Sequence, residues 1–152
     1  MKTTVKTIKV LKYIPKIWST LCYLVFIIFA MVLFFSRKIE AFRFEFLLNI
    51  FPEFQLHISN FSISLLIVIT SGYTAGFQQK SIVKIFFIAC AVILINLIYE
   101  LFLPFINTKD ILDAYYGIAG TLFSFIFLLP YYLVGRKENP LYGETNGSSP
   151  IN

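Results

Sequence analysis

Three carboxylates and one imidazole stand out in a chain otherwise rich in hydrocarbon. Glu100, Asp110 and Asp113 surround a short turn between two apolar runs, and the single histidine, His57, lies at the mouth of another. A charge beside hydrocarbon is costly unless it is paired or reaches water, so acids in such places are read as functional by default. Asn96 and Glu100 are four residues apart, which puts them one above the other on a helix face. Asp110 and Asp113 are three apart and share a face if helical. Asp113, already entering the apolar run, needs a polar protein partner, for which His57 and Asn60 are the candidates. Together His57, Asn60, Asn96, Glu100, Asp110 and Asp113 form a candidate ligand pocket. Glu100, Asp110 and Asp113 offer hard oxygen ligands for a divalent cation such as Mg²⁺ or Ca²⁺, and His57 can act as metal ligand, proton carrier or interfacial polar group. Thr108 or Asp110 also suits a helix N-cap, where exposed N–H groups favour a side-chain oxygen.

Positioning these residues falls to apolar segments. Of 152 residues, 58% are hydrophobic, 18 are Phe and only 14% are charged, against roughly 25% charged in a soluble domain. This composition excludes an ordinary soluble fold and predicts an all-α, polytopic membrane protein. A spanning helix needs about 20 mainly apolar residues. Four runs qualify, at about 17–35, 58–77, 82–103 and 111–134. The second, with Ser62, Ser64, Thr70, Ser71 and Thr74, is the least apolar. The first is too long for a signal-peptide core and has no small-x-small cleavage site, so it reads as an uncleaved anchor.

Basic residues set the orientation. Lys2, Lys6, Lys9, Lys12, Lys16, Lys80, Lys84, Arg136 and Lys137 make nine of the 13 Lys and Arg on one side; Arg37, Lys38, Arg43 and Lys109 lie on the other. An N-in, C-in arrangement follows, with a basic cytoplasmic segment 1–16, a four-helix membrane domain 17–135 and a disordered cytoplasmic tail 136–152. Trp18 and Tyr131-Tyr132 then sit at the cytoplasmic interface, while the candidate pocket faces outward. The lysine cluster beside a hydrophobic run argues for topology and anionic lipid rather than nucleic acid.

Between the first two spans, Phe42, Phe44 and Phe46 alternate with charges as in a strand, and Leu47-Leu48 and Ile50-Phe51 suit a helix on the outer membrane surface. Cys22 and Cys90 are isolated in apolar runs and lack zinc-site spacing. Asp113, Gly117 and Gly120 fall on one stripe of the last span, and Gly72 and Gly76 form a G-x-x-x-G stripe in the second; all four glycines are expected to serve helix packing. No Ser-His-Asp arrangement, Walker loop, H-E-x-x-H or redox motif is present.

The order Tyr99-Glu100, Leu103-Pro104, Asp110-Ile-Leu-Asp113 and Gly120, preceded by His57-Ile-Ser-Asn60-Phe61, resembles the core pattern of VanZ-like membrane proteins. The resemblance covers about residues 51–127. Gly117 stands where the family carries Asn, and only Lys109 can supply the basic residue that many members have in the turn. The resemblance implies a small multi-pass protein of the bacterial cell envelope, in a family whose founding member is associated with resistance to the glycopeptide teicoplanin. The expected function is non-enzymatic: an outward acidic pocket that engages a cation, a lipid headgroup or a lipid-linked cell-wall precursor in the plasma membrane. The alternative is a metal-dependent membrane enzyme acting on a lipid or cell-wall intermediate, for which no nucleophile or phosphate-binding arginine is evident.

Overall fold

A computed structural model describes residues 10–78, 80–102 and 110–142. Strand β1 (Tyr13–Pro15) leads into α1 (Ile17–Ser36), a single 3-10 turn (Glu40–Phe42) and the short α2 (Glu45–Ile50). Then follow α3 (Phe54–Ala75), α4 (Val83–Phe102), α5 (Ile111–Val134) and β2 (Arg136–Glu138). Helices α1, α3, α4 and α5 are long and apolar enough to cross a membrane. At 1.5 Å per residue their 20 to 24 residues span about 30–36 Å, the thickness of a hydrocarbon layer. A helix satisfies its own backbone, which is what such a layer demands.

Helix α3 is the centre of the bundle and packs most extensively on α5, with α1 and α4 also against it. Its lower apolarity has a physical reason. Ser62, Ser64 and Gly72 face protein rather than the outside, and small residues there let neighbouring helices come close. Leu65, Val68, Ile69, Phe127, Leu128 and Tyr131 form the buried core. Along the α3–α5 contact the glycines change sides. In its first half α5 supplies one, since a Cβ on Gly120 would strike the Phe61 carbonyl of α3, while Gly117 one turn earlier opens α5 to α4, where a Cβ would lie 2.6 Å from the Asn96 carboxamide. Near the ends α3 supplies them, with Leu128 against Gly72 and Tyr131 against Gly76.

Three expectations change. Helix α3 starts one turn earlier than residue 58, so His57 lies inside its first turn. Phe42, Phe44 and Phe46 form no strand; the chain makes a 3-10 turn and then α2, where Glu45 can sit against the helix N-terminus. The segment 136–142 is not a disordered tail: β2 pairs antiparallel with β1, Tyr13 opposite Glu138 and Pro15 opposite Arg136. Arg136 lies at the centre of the contacts around this pair. Its guanidinium lies 4.1 Å from the centre of the Tyr132 ring and 4.6 Å from that of Tyr13, and donates to the carbonyls of Gly76 at 2.7 Å and Lys80 at 2.5 Å. The cation thus satisfies carbonyls left open past the end of α3 while stacking on two aromatic faces. Thr108, Lys109, the Leu103-Pro104 turn and residues 143–152 lie outside the described residues.

Candidate metal centre

Asp110 takes the N-cap of α5, and its Oδ1 accepts a hydrogen bond from the Leu112 N–H at 3.0 Å. That bond fixes the carboxylate and leaves Oδ2 on the side of α3, 3.7 Å from Nδ1 of His57. Asp113, one helical turn on, places Oδ1 2.9 Å from the same Nδ1. One ligand atom from each of His57, Asp110 and Asp113 falls within 4.8 Å of the others. His57 is buried, with 4% of its surface exposed, while the side chains of Asp110 and Asp113 remain 39% and 21% exposed. The Tyr116 ring, centred 5.3 Å from the imidazole, packs against it, and Phe54 in turn lies 5.9 Å from Tyr116. A cleft of about 270 Å³ lined by Ile50, Phe51, Pro52, Glu53 and Tyr116 runs alongside.

Two ionised carboxylates around one imidazole carry a net negative charge whether the ring is neutral or protonated. The group therefore attracts a cation in either state. With a proton on Nδ1 the ring donates to Asp113, and the contact is an ion pair only in the imidazolium form. With Nδ1 deprotonated, one nitrogen and two oxygens converge as a mixed donor set, which suits Mn²⁺ or Zn²⁺ better than the all-oxygen set expected for Mg²⁺ or Ca²⁺. The hydrogen bond that holds Asp110 is the kind of outer contact that orients a ligand.

Of the other residues predicted for the pocket, Glu100 is buried, with 3% exposed, and is not one of the three groups that converge here. Asn96 donates to Ser64 Oγ at 2.9 Å and to the Val92 carbonyl at 3.0 Å, tying α4 to α3 beneath the cluster. Asn60 lines a groove toward α1. Tyr116 was not singled out from sequence and Ser64 only as a polar residue of the second span, although Tyr116 is three residues after Asp113 and Ser64 seven after His57, on the same helix faces. Compared with family models, curated proteins and solved structures, the chain matches none.

Proposed function

We propose that the chain is a VanZ-like, multi-pass protein of the cell membrane, with both ends of the helix bundle's chain cytoplasmic, whose outward cluster His57–Asp110–Asp113 binds a divalent cation. Through that cation it engages an anionic lipid headgroup or a lipid-linked cell-wall precursor. The observation that carries this reading is the convergence of His57 Nδ1 on Asp113 Oδ1 at 2.9 Å with Asp110 in the same group. Four apolar helices support the membrane assignment, and the nine-to-four division of basic residues supports the orientation. The motif order from His57 to Gly120 supports the family and, with it, a link to glycopeptide resistance.

A metal-dependent enzyme would use the same three residues. Burial of His57 leaves its ring little access to a substrate, which favours binding over catalysis. Titration of metal-free protein in detergent with Mn²⁺ and Zn²⁺ tests the site. Stoichiometric binding that is lost in Asp113→Ala and in His57→Ala is expected. A protein that binds neither ion, or that binds them equally well in both variants, refutes the cation site.

A further inference from the structure

We propose a second site, in the groove between the end of α1 and the first turns of α3, that takes the phosphate headgroup of an anionic lipid. The groove has a volume of about 490 Å³, and its lining is sorted along the bundle. Arg37 and Lys38, just past the end of α1, and Asn60 form a polar rim. Phe34, Phe35 and Ile63, deeper in the helices, form an apolar floor. A phosphate at the rim with an acyl chain along the floor matches this order. Free phosphate would use only the rim and leave Phe35 and Ile63, 42% and 44% exposed, uncovered.

The rim is built rather than incidental. Arg37 Nη1 donates to Ser59 Oγ at 2.6 Å, so the guanidinium is held across the groove before any ligand arrives. A planar fork fixed in advance loses little freedom on meeting a phosphate, and Lys38 adds a mobile point charge. The nearest acid in sequence, Glu40, is paired with Arg43 at 3.3 Å and so is already partly neutralised. Gln55 donates its carboxamide to the Ser36 carbonyl, which ties α3 to the end of α1 and sets the groove's width. The site shares the membrane reading given above but does not need a cation at His57, which faces α5 rather than α1.

The test uses the full chain in mixed micelles, with Trp18→Phe removing the native indole and Ile63→Trp placing a reporter on the floor. Quenching by phosphatidylglycerol with brominated chains should reach half its maximum at about a tenfold lower mole fraction than quenching by brominated phosphatidylcholine. Arg37→Gln with Lys38→Gln should bring the two lipids to parity. If that pair does not fold by thermal unfolding in detergent, Lys38→Gln alone, which leaves the Arg37–Ser59 bond in place, should still narrow the preference. Lys16→Gln with Lys137→Gln, at the other end of the bundle, and Asp113→Asn should each preserve it. Equal quenching by both lipids, or a preference that survives loss of Arg37 and Lys38, overturns the proposal. Displacement of phosphatidylglycerol by millimolar inorganic phosphate overturns the lipid assignment. Loss of the preference in Asp113→Asn overturns the independence of the two sites, while intact preference beside failed cation binding sinks only the centre at His57.

Discussion

Replacing Gly120 by alanine should loosen the bundle and weaken the cluster near its end at the same time. The added methyl runs into the Phe61 carbonyl, a backbone atom that cannot rotate away. Restoring an ordinary contact distance requires α3 and α5 to separate by about 1 Å. Phe61 is one turn from His57, about 6 Å along α3, and Gly120 is two turns from Asp113, about 10 Å along α5. So short a lever transmits most of the displacement. The 2.9 Å bond between His57 and Asp113 would stretch toward about 3.9 Å, past the hydrogen-bonding range. Overpacking of this kind costs about 1–3 kcal/mol, and the lost bond adds about 1 kcal/mol or more because His57 is buried. Thermal unfolding in detergent should show a midpoint several degrees lower, and titration should show about tenfold weaker Mn²⁺ binding. Gly72→Ala is the control: its Cβ meets the tip of the Leu128 side chain, which can change rotamer, so the cost should stay below about 1 kcal/mol. If Gly120→Ala proves as mild as Gly72→Ala and leaves cation affinity unchanged, the close backbone contact does not set the geometry of the cluster.

A double-mutant cycle on His57→Ala and Asp113→Ala should give a coupling of at least about 0.5 kcal/mol in unfolding free energy, and strict additivity would dissolve the pair. Asp110→Asn should keep its cap and cost little stability, whereas Asp110→Ala should cost about 1 kcal/mol; equal costs would deny the cap its role. Acidification should release a bound divalent ion, since protonating the ligand nitrogen and carboxylates removes their lone pairs, and pH-independent affinity would place the ion elsewhere. In a background lacking Cys22 and Cys90, cysteine at Lys38 should react with an impermeant reagent on intact cells and cysteine at Lys137 should not; the reverse pattern inverts the orientation.

What could be read from the chain, and what could not, follows from the range of the forces involved. Hydrocarbon length is a local property, so α5 was legible as residues 111–134 from its apolar run, with Asp110 before it as a cap. The start of α3 was not, because Phe54-Gln55-Leu56 is too mixed to extend an apolar run and the helix there leans on a bond from Gln55 to the Ser36 carbonyl. The strands were illegible since three residues carry no periodicity, and the contacts around them, such as Arg136 with Tyr13 and Asn139 with Leu11, join residues from the two ends of the chain. Within the cluster, spacing put Asp110 and Asp113 on one face and the apolar setting of Asp113 called for a partner such as His57, which the structure supplies at 2.9 Å; the choice of His57 over Asn60 depends on how α3 is rotated against α5. Asn60, three residues from His57, was expected to share its surroundings and instead borders a different groove.

The ribbon of β1 and β2 bears on the order in which the protein is made. Asn139 donates to the Leu11 carbonyl across 128 residues of sequence, and Ser19 reaches the Gly135 carbonyl across 116. These bonds cannot form until four helices have left the ribosome, so the strand made first must wait for the one made last. Because both strands must meet on one side of the membrane, the clasp closes only when an even number of crossings lies between them. A molecule in which one helix failed to insert would hold Tyr13 and Arg136 on opposite faces of the bilayer, leaving the cation without its aromatic partner and the strand without its pair. If the four helices cross a membrane, the ribbon therefore tells an even number of crossings from an odd one, and a chain missing a single helix would leave it open.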